Sequence, residues 1–146
     1  MKKYDIAAIG EMLIDFIPCG RSDSGKTILE PKEGGAPCNV LAMAAKLSKK
    51  TAFIGKVGND IFGRQLKAAV EEVGINTEGL VTDEEVNTTL AFVKTLDGGD
   101  REFSFYRNPG ADMMLRKEDL HEDLIRDAKI FHYGTLSMIH DGVREA

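Results

Sequence analysis

Short apolar runs divide the chain at regular intervals. They lie at 4–10, 51–58 and 129–134, and each ends in glycine. Runs of this length and continuity are typical of strands covered on both faces of a parallel sheet. We therefore predict three strands of one parallel sheet at these positions.

Three other segments repeat apolar residues every three or four positions, as an amphipathic helix does. They span 37–48, 61–73 and 120–128. Asp60 is a suitable N-cap for the second helix, and Gly74 is a suitable residue to end it. The alternation of strands and helices predicts an α/β fold, in which helices cover the faces of a parallel sheet.

Two stretches depart from this alternation. Residues 88–96 and 101–108 are rich in strand-forming residues, and the four residues 97–100 between them include two glycines, which predicts a hairpin. Residues 12–18 are also extended, with apolar side chains on both sides of the strand. Strands inserted into a strand-helix series in this way are typical of a lid or an edge subdomain.

The overall composition is that of one globular domain, with 146 residues, 42% hydrophobic and 29% charged. The 19 Lys and Arg residues against 24 Asp and Glu residues give a net charge of −5 without a basic run. We therefore expect no nucleic-acid partner. No apolar stretch reaches the roughly 18 residues of a membrane span, so we expect no membrane partner and interpret the protein as cytoplasmic.

The two cysteines do not indicate a disulfide framework. Cys19 and Cys38 are too few for one, and neither lies near a set of zinc-type ligands. We expect both thiols to be reduced and structural, and we expect no metal site.

The segment GRSDSGKT at 20–27 matches the phosphate-binding P-loop pattern. A P-loop must be followed by a helix, because the helix N-terminus supplies much of its affinity for phosphate. Here Pro31 follows too soon for a helix to form. We therefore predict a polar surface loop between two lid strands, and we expect Lys26 not to bind phosphate.

Asp15 is the most informative candidate for a binding residue. It is a single carboxylate within an apolar run, where an unpaired charge is costly to bury. Hydroxyl groups of a ligand would be suitable partners, since a carboxylate accepts several hydrogen bonds. The alternative is a salt bridge within the lid.

The pair Gly34 and Gly35 lies just before the helix predicted at 37–48. Adjacent glycines expose backbone N–H groups beside a helix start, where they can meet hydroxyl oxygens. Asn39 adds an amide that both donates and accepts hydrogen bonds. A tight strand-to-helix turn would also explain the glycines, and a capping role would explain Asn39.

Phe103, Phe105 and Arg107 share one side of the predicted hairpin by their spacing of two. Aromatic rings next to a guanidinium group could pack against a polyol and hold an anionic or hydroxyl group. The alternative is an ordinary hairpin with a solvated arginine.

Six segments carry a resemblance to a known family. They are GEMLIDFIP, GGAPCNV, AFIGKVGNDIFG, TTLAFV, REFSFYRNPGADM and AKIFHYGTLSM. In this order and spacing they resemble the first half of the fructokinases, within the ribokinase (PfkB) family of carbohydrate kinases. The likeness runs from about Tyr4 to the end. Leu41 departs from the family's first signature, which has a small residue there.

The resemblance implies a ribokinase-like three-layer α/β/α fold with a β-strand lid. Residues 1–146 would be the N-terminal part of the kinase domain, with lid segments at about 12–33 and 87–108. The implied reaction uses ATP and Mg²⁺ to convert fructose to fructose 6-phosphate, and the implied partners are the sugar and a second copy bound through the lid. The residues that match the family's sugar site are Asp15, Gly34, Gly35, Asn39, Phe105 and Arg107.

Two further comparisons with the family refine this expectation. Ala91 lies where the related 2-keto-3-deoxygluconate kinases carry an aromatic residue, which favours fructose. The family's second signature, with the anion hole and the catalytic aspartate, has no counterpart in this sequence. We therefore expect no catalytic residue in this chain, no activity from it alone, and an ATP site outside it. A 2-keto-3-deoxygluconate or nucleoside kinase, or a non-catalytic chain that binds sugar or dimerises, remains the alternative.

Overall fold

The computed structural model describes residues 2–96 and 98–146. In chain order the strands and helices are β1 (Tyr4–Ile9), β2 (Leu13–Arg21), β3 (Thr27–Gly34), α1 (Ala36–Lys46), β4 (Thr51–Gly58), α2 (Ile61–Glu72), β5 (Asn76–Asp83), β6 (Leu90–Thr95), β7 (Arg101–Tyr106), α3 (Glu122–Arg126), β8 (Ala128–Tyr133) and α4 (Asp141–Glu145). Short 3₁₀ turns occupy Ala111–Met114, Lys117–Asp119 and Leu136–Ile139. No helix in the described part of the chain is long and apolar enough to cross a membrane.

The main sheet has the strand order β5-β4-β1-β8, and its neighbouring strands are parallel. Successive strand residues point to opposite faces, so each strand serves two cores. On β4, Phe53 packs in the core that holds Leu41 of α1 and Leu66 of α2, whereas Ile54 packs on the other face with Leu124 of α3. The sheet is therefore the middle of three layers, and the predicted α/β class is confirmed.

The second sheet has the order β3-β2-β6-β7 and consists of the predicted lid segments, so we call it the lid. Strand β2 pairs antiparallel with β3 and parallel with β6, and β6 and β7 form the predicted hairpin. Asp97, which belongs to the predicted connection 97–100, lies outside the described residues. An aromatic series holds one face of the lid against helix α2: Phe62 contacts Phe16, Phe16 stacks on Phe92, and Phe92 contacts Tyr106. The ring centroids of these pairs lie 5.8, 4.9 and 5.1 Å apart.

The structure differs from the sequence-based prediction in three elements. Strand β5 was not predicted, because five of the eight residues in its sequence NTEGLVTD are polar, as suits the edge strand of the sheet. The helix predicted at 120–128 is confined to Glu122–Arg126, since the chain already enters β8 at Ala128. The segment 20–27 is not entirely a loop, because Arg21 pairs with Thr27 at the end of the β2–β3 hairpin.

Candidate functional site

Asp15 lies in the middle of the lid sheet, in a row of side chains that crosses all of its strands. It is in register with Lys32 on β3 and with Ala91 on β6, and Ala91 is in register with Phe105 on β7. Residues paired in this way point to the same face of a sheet. Asp15, Ala91 and Phe105 therefore share one face, and Ala91 contributes only a methyl group between the carboxylate and the aromatic ring.

Gly34 makes room for the Asp15 carboxylate. A Cβ atom added to Gly34 would lie 2.3 Å from Oδ2 of Asp15 and 3.2 Å from Cδ1 of Leu13. Any side chain at this position would have to displace the carboxylate. The glycine is therefore explained by the close approach of Asp15.

Gly35 has a different reason to be glycine. It is the N-cap of α1, with φ of 116°, and a Cβ atom there would lie 2.3 Å from the backbone oxygen of Glu11. The tight strand-to-helix turn considered from the sequence is therefore present at this residue. Asn39 is not a cap, since α1 begins after Gly35. It lies in the first turn of the helix with an exposed side chain.

No hydrogen bond or ion pair to the Asp15 carboxylate is found within residues 2–96 and 98–146. Lys32, its register neighbour, pairs instead with Glu30, at 2.6 Å from Nζ to Oε1. Partial burial raises the pKa of Asp15 above its usual range, and the positive charge of Arg101 opposes this shift. The proposed salt bridge within the lid is therefore not found among the described residues.

The aromatic residues of β7 lie on the Asp15 side of the lid. The rings of Phe103 and Phe105 stack with centroids 6.1 Å apart and planes 13° apart, and each residue is about half exposed. They form an apolar surface next to the carboxylate, with Phe105 in the same row as Asp15.

Arg107 follows the end of β7. It is not solvated, and the alternative of an ordinary hairpin with a solvated arginine is therefore wrong. Its side chain is 8% exposed and pairs with the buried Asp112. Nε donates to Oδ2 of Asp112 at 3.0 Å, and Nη2 donates to the same oxygen. The other carboxylate oxygen, Oδ1, accepts from the hydroxyl of Thr89. The pair therefore anchors the residue after β7 to the residue before β6.

We call the region where β6 begins and β7 ends the lid base. A second carboxylate, Asp60, holds the chain there just before β6. Its Oδ2 accepts from the backbone N–H of Thr88 at 2.7 Å, and its Oδ1 accepts from the Thr88 hydroxyl at 2.9 Å and from the Gly63 N–H at 2.8 Å. Burial alone would raise the pKa of Asp60, but these hydrogen bonds outweigh it and lower the pKa. The predicted N-cap is confirmed, and Asp60 also holds the entry to β6.

Several contacts around the candidate site could not be found by sequence reasoning. Asp60 was predicted only as a cap, and Asp112 and Glu11 were not singled out at all. Their partners lie 28, 23 and 25 positions away, at Thr88, Thr89 and Ala36. No local pattern in the sequence connects these acids to those partners.

The segment 20–27 has none of the geometry of a phosphate-binding loop. Ser22 and Lys26 close it through a backbone hydrogen bond of 2.8 Å, and β3 follows it in place of a helix. Among the described residues, no three His, Cys, Asp or Glu side chains group closely enough to hold a metal ion. The segment 20–27 is therefore the turn of a β-hairpin and not a P-loop.

The arrangement matches known proteins over nearly its whole length. Residues 3–146 match the protein family described as "pfkB family carbohydrate kinase". The chain belongs to this family. Among curated relatives, it is 48% identical over 143 residues to probable fructokinase-5 of Arabidopsis thaliana and 47% identical over 145 residues to fructokinase-2 of Oryza sativa subsp. japonica. Each alignment covers 97% of the chain but only 44% and 43% of the relative.

Solved structures give the same result for the fold. A fructokinase from Xylella fastidiosa superposes with a TM-score of 0.89 at 35% identity, covering 97% of this chain and 44% of that one. A sugar kinase from Pyrococcus horikoshii, solved in complex with ATP, gives a TM-score of 0.87 at 35% identity, with 96% and 46% covered. The ribokinase-like fold is therefore confirmed for this PfkB kinase chain, which spans less than half the length of the relatives it matches.

Proposed function

We propose that this chain is the sugar-binding and lid half of an ATP-dependent kinase that converts fructose to fructose 6-phosphate. The membership in a carbohydrate kinase family and the relatives named as fructokinases support this reaction class. The observation that carries the proposal is the unpaired carboxylate of Asp15, held beside Gly34 on the face that also carries Phe105.

The groups around Asp15 suit a sugar. An ionised carboxylate accepts hydrogen bonds from adjacent hydroxyls, and such charge-assisted bonds are stronger than neutral ones. The exposed amide of Asn39 both donates and accepts, and the ring of Phe105 offers an apolar surface to the C–H groups of a sugar. Gly35 leaves backbone uncovered at the same helix start. Arg107 takes part from the lid base, where Asp112 fixes the direction of its guanidinium group.

Ala91 is proposed to select fructose over 2-keto-3-deoxygluconate. It lies in register between Asp15 and Phe105, so its size controls the space between them. An aromatic residue there, as in the related kinases, would occupy that space. We expect Ala91→Tyr to weaken fructose binding more than binding of 2-keto-3-deoxygluconate.

ATP and Mg²⁺ are proposed to bind in the remainder of the kinase fold. Support comes from kinases of about twice this length that have been solved with ATP. When bound, Mg²⁺ would neutralise charge on the transferred phosphoryl group. The contribution of this chain is to bind and orient the sugar, and we propose that it is inactive alone.

The lid is also proposed as the contact between two copies of the protein. Its exposed apolar residues, Phe103, Phe105, Tyr106 and Ile28, are 48%, 50%, 67% and 44% exposed. Such a concentration of exposed aromatic area supports association.

We propose a cytoplasmic location, in which the free thiols of Cys19 and Cys38 stay reduced.

Titration calorimetry on the 146-residue chain tests the binding proposal. Fructose, ribose and 2-keto-3-deoxygluconate are titrated separately, and we expect the tightest binding for fructose. Tighter binding of 2-keto-3-deoxygluconate would support the alternative kinase, and binding of none of the three would contradict a sugar site in this chain. A coupled assay with ATP and Mg²⁺ distinguishes a binding chain from a catalytic one.

A further inference from the structure

Helix α1 has no cap from its own N-terminal residues. Its N-cap is Gly35, which has no side chain, and the second helical residue is Pro37, which has no N–H. The first N–H groups of a helix need acceptors from elsewhere. Here the backbone N–H of Ala36 donates to Oε1 of Glu11 at 3.0 Å. A residue 25 positions earlier therefore supplies the cap.

The second oxygen of Glu11 has no partner. Glu11 is 3% exposed, and Oε2 is buried without a hydrogen bond among the described residues. A buried carboxylate oxygen without a donor is unfavourable, although the positive end of the helix dipole offsets part of the cost. An uncharged residue would avoid this cost, so the charge of Glu11 does not explain its presence. The role that remains is that of a hydrogen-bond acceptor long enough to reach the N–H of Ala36.

Glu11 lies where the strand order of the main sheet reverses. The chain runs from β1 to β4 and β5 on one side, and returns to β8 on the other side of β1. Ligands of open α/β sheets bind at the carboxyl ends of the strands at such a point. A Cβ atom on Gly134, just after β8, would lie 3.6 Å from Oε2 of Glu11. The carboxylate is thus enclosed by β1, α1 and the end of β8.

Both parts of Glu11 bear on the first turn of α1. Its backbone oxygen lies against Gly35, and its side chain holds Ala36. The N–H of Asn39 in turn donates to the Gly35 oxygen at 2.9 Å. A shift of Glu11 would therefore move the first turn of α1, which contains Asn39.

We propose that Glu11 is a positioning residue of the sugar site: it caps α1 from the end of β1 and fixes Gly35 and Asn39 for the ligand. The inference rests on the proposed sugar-binding function for its effect on affinity. The effect on the helix start is independent of that function.

Cys38 reports on the state of Glu11. Burial, together with the negative charge of Glu11, raises the pKa of the Cys38 thiol to about 11. Removing the charge while keeping the shape should lower the pKa of Cys38, and the alkylation rate at a given pH should rise. Cys19 is exposed and is replaced by serine in all variants, so that only Cys38 reacts.

The experiment compares Glu11→Gln, Glu11→Asp and Glu11→Ala in the 146-residue chain. Glu72→Gln, at the exposed end of α2, is the matched control for loss of one charge. Amide hydrogen exchange at Ala36 and Asn39, the fructose dissociation constant and the pH profile of Cys38 alkylation are measured for each.

The three variants separate capping from charge. The amide of Glu11→Gln still accepts, so exchange at Ala36 and fructose affinity should stay within about threefold of the unmodified chain while the Cys38 profile moves to lower pH. Glu11→Ala should raise exchange at Ala36 by about tenfold and weaken fructose binding by about as much. Glu11→Asp keeps the charge but is too short to reach Ala36, so it should behave as Glu11→Ala without the Cys38 shift, and it replaces Glu11→Ala should that variant fail to fold.

Unchanged exchange at Ala36 in both short variants would overturn the capping role. Faster exchange with unchanged fructose affinity would overturn the positioning role. Should the unmodified chain bind no fructose, the proposed function fails on this chain, and exchange at Ala36 and Asn39 alone decides whether Glu11 fixes the helix start.

Discussion

Replacement of Asp15 by asparagine is the most direct test of the proposed sugar site. Asparagine keeps the size of the side chain, so it fits beside Gly34, but it removes the charge and replaces one acceptor oxygen by a donor. No protein group within residues 2–96 and 98–146 bonds to this carboxylate. The substitution therefore removes no internal hydrogen bond or ion pair from the described structure, and its effect falls on the ligand.

The magnitude follows from the type of hydrogen bond that is lost. A hydrogen bond to a charged group contributes about 1.5 to 3 kcal/mol, and each 1.4 kcal/mol corresponds to about a factor of ten. Loss of one such bond should weaken fructose binding roughly 10- to 150-fold. Titration calorimetry on the 146-residue chain measures this change, with Asp23→Asn in the exposed β2–β3 turn as the control.

The stability of the same variant should change in the opposite sense. The raised pKa of Asp15 means that the folded chain favours the protonated form, so this residue makes stability fall as pH rises from the ordinary aspartate pKa to the raised one. Asp15→Asn should therefore leave the melting temperature at pH 7 unchanged or higher. A lower melting temperature with normal fructose affinity would refute the reasoning, because it is the result expected of a structural salt bridge.

Four further results are expected. Fructose binding by the unmodified chain should weaken as pH falls through the raised pKa of Asp15. This loss should occur at a higher pH than an exposed aspartate would give, and calorimetry across a pH series that shows no such loss would mean that the carboxylate is not a ligand. Gly34→Ala should weaken fructose binding about tenfold or more, because its Cβ would occupy the position of Asp15 Oδ2; unchanged affinity would mean that the carboxylate can move without loss. Asp60→Ala should lower the unfolding free energy by about 0.5 to 2 kcal/mol as a lost cap, and the difference from the unmodified chain in denaturant titrations should shrink as acid protonates Asp60 through its lowered pKa. The chain should form no fructose 6-phosphate from ATP, Mg²⁺ and fructose. In addition to the dimer proposed through the lid, it should associate further through the exposed edge of β8, where Ile130 and Tyr133 are 58% and 61% exposed. Turnover by a chain that light scattering shows to be no larger than a dimer would contradict both expectations.

The elements with a clear local pattern were predictable from the sequence. Strand β4 is a continuous apolar run because it is paired on both edges and covered on both faces, and α2 carries its own cap and stop. Strand β5 was missed because most of its residues are polar, so it lacks the apolar run of the other strands. The short α3 was overextended because Ala128 favours a helix by its own propensity, and pairing with Tyr4 in the sheet overrides that preference.

The candidate site was likewise predictable only in part. Asp15 was identifiable because a carboxylate in an apolar run is a local anomaly, and Phe105 because of its period along a strand. Whether Asp15 is paired was not predictable, since that depends on Lys32 turning to Glu30. The burial of Arg107 was not predictable either, because Asp112 reaches it through a turn that the sequence does not specify.

The lid base and the lid surface have opposite characters, and this difference bears on what the site does. At the base, Asp60 and Asp112 have their oxygens occupied by Thr88, Thr89, Gly63 and Arg107, so these acids stabilise the crossing between the two sheets. On the surface, Asp15 is partly buried without a partner in the described part of the chain, and Gly34 contributes no side chain to cover it. A sequence selected for stability alone would pair that carboxylate or replace it. The cost is understandable if a ligand supplies the missing donors, because the same desolvation that raises the pKa of Asp15 strengthens its hydrogen bonds to a bound hydroxyl.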